Sequence, residues 1–269
     1  MPTLLHPAES TDVVFRFGPS ESDAAPQAAA RFVDLLHPLG HAYAGPRLRT
    51  DGGQWLARVR TSEPAAVAPE RFGPRVREAL LTAEAAFERP VQIECDRTPS
   101  RPRPPFYTLA TVNPRDGGPL LRMADFRVPE SLAVLPLDEA TRERTQAWAA
   151  EVTALCGPDG GSPEAYARLA DPAGPLMREG RGISATIEAA CGVSTYLNLW
   201  RRYGYPGEAK RRRCSVCGGP WHRPADGPGR PQYRCDLCRL SSWPALVTVG
   251  PDDPNWPLAA VGWAGPVMG

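Results

Sequence analysis

The chain predicts an α+β protein: a ferredoxin-like βαββαβ unit first, a helical middle, and a C-terminal zinc ribbon held by four cysteines. Three observations carry that expectation. Strand-like and helix-like apolar patterns alternate through the N-terminal third. Helical spacing dominates the middle. Two Cys-x-x-Cys pairs stand seventeen residues apart near the end. With 42% apolar and 23% charged residues over 269 positions, the chain can build a core and is not of disordered composition.

Residues 12–17, Asp-Val-Val-Phe-Arg-Phe, alternate as a strand. Residues 23–37 place Ala28, Phe32, Leu35 and Leu36 at helical spacing. Asp51-Gly52-Gly53 is a hairpin turn signal between two strands. In the second of these, Trp55, Ala57 and Val59 alternate with Leu56, Arg58 and Arg60. A helix over 70–88 carries Val76, Leu80, Ala83 and Phe87 on one stripe, and 91–95 reads as a fourth strand. The order βαββαβ resembles a ferredoxin-like unit, an architecture that hosts many functions.

Residues 97–105 form a stiff proline-rich connector. Runs 106–112 and 120–128 read as strands joined through the turn-prone stretch 113–118. Asp138 is placed to cap a helix whose Trp148, Val152 and Leu155 share a face and which Gly157-Pro158 stops. Ser162-Pro163 opens another, with an N-cap followed by proline at the first helical position. A third helix is expected over 183–191. A fourth is expected from Ser194 to Gly204, carrying Tyr196, Leu197, Trp200 and Tyr203. The expected organisation is an α+β domain over 1–130, a helical region over 131–205, the zinc ribbon over 206–243 and an extended docking tail over 244–269.

The sharpest chemical signal is Cys214-Ser-Val-Cys217 followed by Cys235-Asp-Leu-Cys238. Two such pairs are a zinc signature: each tight turn offers two thiolates, and together they close a tetrahedron. Gly218-Gly219 supplies the permissive backbone a knuckle needs. Four sulfur ligands leave no open position, so the expected cofactor is one structural Zn²⁺ rather than a catalytic one. His222 lies inside the segment and is superfluous beside four thiolates. Cys95, Cys156 and Cys191 are isolated among apolar or small neighbours and read as buried packing residues.

Net charge is only +1, but its distribution is uneven. Between Trp200 and Trp243 the positive residues are Arg201, Arg202, Lys210, Arg211, Arg212, Arg213, Arg223, Arg230, Arg234 and Arg239, against Glu208, Asp226 and Asp236. The same stretch holds Trp200, Tyr203, Tyr205, Trp221, Tyr233 and Trp243. Cations beside flat rings suit single-stranded nucleic acid, so all these cations except Arg230 are the candidate nucleic-acid contacts. Structural readings stand beside this one. Tyr196, Leu197 and Trp200 are at core spacing, Trp221 can cover the metal site, and 210–213 can be a solvated hinge. The alternative function is a protein-interaction adaptor whose ribbon binds a larger assembly.

The C-terminal part resembles a bacterial family of zinc-ribbon proteins of unknown function to which nucleic-acid binding is attributed. The resemblance is carried by Glu188 before Gly192, Thr195-Tyr196-Leu197, Arg201-Arg202-Tyr203-Gly204, Cys214-x-x-Cys217-Gly218-x-x-Trp221, and Tyr233-Arg-Cys235-Asp-x-Cys238-Arg-Leu-Ser241. It covers about 183–243 and is thin upstream. It implies metal ligation by the four named cysteines and implies no enzyme. A helix-turn-helix corner at Gly192-Val193-Ser194 is disfavoured by Glu188 and Asn198, which occupy positions where small or apolar contacts are needed.

No catalytic constellation stands out. His37-Pro-Leu-Gly-His41 is broken by Pro38 and Gly40, and Gly157-Pro-Asp-Gly-Gly161 lacks the lysine of a phosphate loop. No run of apolar residues is long enough to span a bilayer, and the start, Met1-Pro-Thr-Leu-Leu-His-Pro7, has no export pattern. The expected protein is therefore a cytoplasmic non-enzyme, with nucleic acid or a protein as partner and with neither a membrane nor a small-molecule substrate.

Overall fold

The computed structural model describes residues 11–43, 45–95, 103–110, 118–123, 127–156, 162–201, 203–205, 213–223, 231–245 and 247–259. The chain forms two compact units. The first comprises residues 1–103, 112–120 and 128–147; the second comprises 104–111, 121–127 and 148–269.

The first unit holds β1 (Thr11–Gly18), α1 (Ala24–Leu36), β2 (Arg47–Asp51), β3 (Gln54–Thr61), α2 (Pro74–Phe87) and β4 (Gln92–Cys95). The strands lie in the order β2-β3-β1-β4, and every neighbouring pair is antiparallel. Alternation along β1 buries Val13, Phe15 and Phe17 on one face. The stripes of α1 and α2 cover that face: Phe32 sits edge-on to Phe15 with ring centres 5.4 Å apart, and Phe87 lies 5.6 Å from Phe17. Gly52 and Gly53 both take positive φ, +55° and +80°, the backbone a two-residue hairpin requires. α2 starts with Pro74 at its first position, where the missing N–H costs nothing.

Then follow β5 (Phe106–Leu109), β6 (Leu120–Met123), β7 (Arg127–Glu130), α3 (Glu139–Cys156), α4 (Pro163–Ala170), α5 (Pro175–Cys191), β8 (Thr195–Asn198) and β9 (Tyr203–Gly204). The chain continues through β10 (Tyr233–Cys235), β11 (Leu240–Ser242), β12 (Val247–Thr248) and α6 (Trp256–Ala259). The second sheet runs β10-β11-β8-β5-β6-β7. The strands that carry the cysteine site, β10-β11-β8-β5, lie wholly in the second unit. In that stretch β11 and β5 flank β8 in parallel, with Leu240 opposite Leu197 and Leu109 opposite Leu197. β10 and β11 are antiparallel.

The caps form where the sequence places them. Asp138 accepts a hydrogen bond from the Thr141 N–H at 2.7 Å, and Ser162 accepts one from Ala165 at 3.2 Å. Two expectations are corrected. The third helix begins at Pro175, not at 183. The expected fourth helix over 194–204 is not a helix: Thr195–Asn198 is a strand buried on both faces, followed after a gap by the short strand Tyr203–Gly204. A strand buried between parallel neighbours loses the polar alternation that marks strands, and its apolar run then mimics a helix stripe. Gly192, at φ +64°, ends α5 by donating to the Glu188 carbonyl at 2.8 Å and turns the chain into β8.

The connector 97–105 and the turn 113–118 lie mostly outside the described residues, as do the stop at Gly157-Pro158 and the stretch 157–161. Among the described residues, no helix is long and apolar enough to cross a membrane.

Candidate metal centre

Each half of the cysteine cluster is built by local backbone chemistry. In the first knuckle the Gly218 N–H donates to the Cys214 carbonyl and the Cys214 N–H to the Gly219 carbonyl, each at 2.9 Å. Gly218 at φ +69° makes that turn possible. Its ends are held by an antiparallel bridge between Arg213 and Pro220. In the second knuckle, β10 delivers Cys235 opposite Leu240 of β11, and the four residues between them turn back. The Cys238 N–H points at Cys235 Sγ, 3.4 Å away, and Arg239 closes the turn at φ +53°.

The four sulfurs lie within 4.8 Å of one another, and Cys217 Sγ is 3.6 Å from Cys235 Sγ. Thiolates at about 2.3 Å from a tetrahedral ion stand about 3.8 Å apart, so the cluster has the size of a four-sulfur metal site. Cys214 and Cys235 are buried and Cys217 is exposed. The isolated cysteines are not the buried packing residues expected: Cys95 is exposed on the edge strand β4, and Cys156 and Cys191, at helix ends, are half-buried. The Gly219 N–H, aided by the neighbouring thiols, holds the Cys217 thiol down at about 7. Burial pushes Cys235 and Cys238 up. Four sulfurs this close cannot all ionise without a cation among them, which is what a metal supplies. Trp221 is fully buried against the Tyr233 ring, centres 5.6 Å apart. The exposed His222 is not among the clustered ligands.

The candidate nucleic-acid residues divide into three groups. Arg201 is buried, and its guanidinium donates to the carbonyls of Tyr203 at 3.2 Å and Ala259 at 3.0 Å. Arg223, Arg234 and Arg239 form one network with two carboxylates. Arg223 and Arg234 share Asp236, at 3.3 and 3.1 Å. Arg239 meets Glu188 through two contacts of 2.8 and 2.9 Å. The Arg234 guanidinium lies over the Phe106 ring at 4.9 Å and over Tyr196 at 5.5 Å. Arg213 is exposed and forms no ion pair among the described residues. Arg202, Lys210, Arg211 and Arg212 lie outside the described residues.

Charge counting set Asp236 against the arginines only as a number and left Glu188 outside the counted segment; the structure pairs both with specific arginines. The Tyr196 hydroxyl donates to Asp236 at 2.6 Å. Burial works against ionising Asp236, but this hydrogen bond and the two arginines hold its carboxyl below the ordinary range. Arg239 does the same for Glu188, which also accepts from the Thr195 N–H at 3.0 Å. Asp236, the first x of its Cys-x-x-Cys pair, and Glu188, a helix residue 48 positions earlier, carry no local signal of the partners they find.

An 80-residue stretch of the chain is 31% identical to an uncharacterised protein of Haemophilus influenzae. The match spans 29% of this chain and 39% of that relative. No family model matches the chain, and no solved structure matches it.

Proposed function

We propose that the protein binds nucleic acid, RNA or single strands preferred, through a basic, aromatic-rich ribbon shaped by one structural zinc ion on Cys214, Cys217, Cys235 and Cys238. The observation that carries the reading is the convergence of these four sulfurs inside the most positively charged segment of the chain. An all-thiolate tetrahedral set favours zinc over harder cations and leaves no site for water, so the ion's role is folding rather than chemistry. The ferredoxin-like reading of the first unit is part of this proposal. It is supported by the strand order β4-β1-β3-β2 with all pairs antiparallel and both helices on one face. On this reading the protein is a cytoplasmic non-enzyme.

The contacts left to phosphates are Arg202, Arg213 and the run Lys210, Arg211, Arg212, since Arg201 is buried against backbone carbonyls, Arg223 and Arg234 are paired with Asp236, and Arg239 is paired with Glu188. If four to six phosphates are neutralised, log affinity for a labelled single-stranded RNA falls with log salt at a slope of roughly −3 to −5. Changing Arg211, Arg212 and Arg213 together to Ala flattens that slope. An affinity indifferent to salt would end the proposal. A second reading, an adaptor gripping a protein assembly, is favoured by one feature: Leu237, at the tip of the second knuckle, is 83% exposed. It requires a protein partner that stays bound after nuclease treatment.

A further inference from the structure

A groove of about 640 Å³ runs between the outer face of α5 and the tip of the second knuckle. α5 contributes Arg178 and Arg181, three positions apart and hence neighbours on one helix face. It also contributes Gly182 and Ala185, the one without a side chain and the other with a single methyl. The knuckle contributes Leu237 and Arg239. The charges here do not balance. Arg239 is spent on Glu188. Arg178 and Arg181 form neither an ion pair nor a side-chain hydrogen bond among the described residues. Like charges one turn apart repel, and an anion in the groove relieves that repulsion.

We infer that this groove receives the sugar–phosphate backbone of a single-stranded nucleic acid, with Arg178 and Arg181 on neighbouring phosphates and Leu237 against a sugar or base face. Guanidinium forks match phosphate oxygens in pairs. An acidic peptide fits less well. Peptide docking draws on buried aromatic or aliphatic anchors, and the groove offers Leu237 as its exposed large apolar side chain. The groove's shape depends on the ribbon, because Cys238 lines it and the Arg239–Glu188 pair ties the knuckle to α5. The inference rests on the nucleic-acid reading and extends it to a helix with no place in the basic run.

The test is fluorescence anisotropy of the full, metal-loaded chain with a labelled twelve-nucleotide uridine RNA across a salt series. Arg178→Ala/Arg181→Ala is expected to weaken binding by about tenfold and to reduce the salt slope by about 1.4, two single-strand phosphates' worth. Its circular dichroism and metal content should match the parent, since neither side chain is buried and neither forms an ion pair or side-chain hydrogen bond among the described residues. Arg178→Lys/Arg181→Lys should keep most of the slope. Parent-like affinity and slope in the Ala pair, while Arg211→Ala/Arg212→Ala/Arg213→Ala loses both, would overturn the groove and leave the ribbon reading standing. A parent protein that fails to bind the RNA even at low salt overturns both. If a poly-glutamate of equal charge displaces the RNA as well as unlabelled RNA does, the groove holds acidic peptide and the assignment to nucleic acid is wrong.

Discussion

Single side chains set the tolerances of this molecule, and Gly180 shows how tightly. It sits inside α5, where glycine costs about 1 kcal/mol relative to alanine. A Cβ there would lie 2.8 Å from Leu197 Cδ1 and 2.9 Å from Trp148 Cζ2, and both neighbours are buried. Overpacking outweighs propensity, so Gly180→Ala should lower stability by about 1–3 kcal/mol in a denaturant melt instead of raising it. His41 adds a pH dependence. It is fully buried in the first unit, bonded through Nδ1 to the Ala66 carbonyl at 2.6 Å. Burial, with the charge of Arg142 adding to it, lowers its pKa to about 4. The unfolded chain takes up a proton near pH 6.5 that the folded chain refuses until about 4. The stability that neutral His41 contributes is therefore complete above pH 6.5 and is lost as pH falls toward 4. The parent should lose roughly 2–3 kcal/mol more than His41→Gln across that window, compared pH by pH in urea.

At the scale of elements, the decisive object is the second knuckle, because it joins β10 to β11 and β11 pairs with β8. Cys235→Ser/Cys238→Ser should abolish metal binding and release Trp221 from its buried position, read as a loss of near-ultraviolet dichroism and a red shift in fluorescence. Retained metal at one ion per chain would refute the four-sulfur assignment. The cysteine spacing made this cluster readable from the sequence, as periodicity and caps made β1, α1, the hairpin, α2 and the start of α4 readable. β8 was not readable, because burial on both faces erases the two-residue alternation that distinguishes a strand. The early start of α5 was hidden by Gly180 and Gly182, and Gly180 is there for the close contact that tertiary structure demands. The partners of Asp236 and Glu188 were unreadable for a related reason: they are made by chain segments 40 and 51 positions away.

For the whole molecule, the metal should matter unequally to the two units. The first unit is stabilised by a continuous apolar core of Val13, Phe15, Phe17, Phe32, Val59 and Phe87 between its sheet and helices, with no cysteine cluster in it. In the second unit, the sheet order β10-β11-β8-β5 puts strands of the cysteine segment on one side of β8. Losing the ion removes the constraint on β10 and β11 and exposes the flank of β8, whose Leu197 and Leu199 amides donate to the Arg239 and Ser241 carbonyls at 2.9 and 2.8 Å. Metal binding to such a site is folding free energy for the segment that surrounds it. Native-state hydrogen exchange with and without chelator tests the asymmetry. Protection should collapse for amides of Tyr233–Cys235, Leu240–Ser242, Leu197 and Leu199 and persist in Thr11–Gly18 and Gln54–Thr61. Six of the seven tryptophans belong to the second unit and only Trp55 to the first, so chelation should also move most of the fluorescence. Uniform loss of protection across both sets of strands would mean that the chain folds as one cooperative block around its metal. Unchanged protection everywhere would mean that the four sulfurs do not hold a metal that matters to the fold.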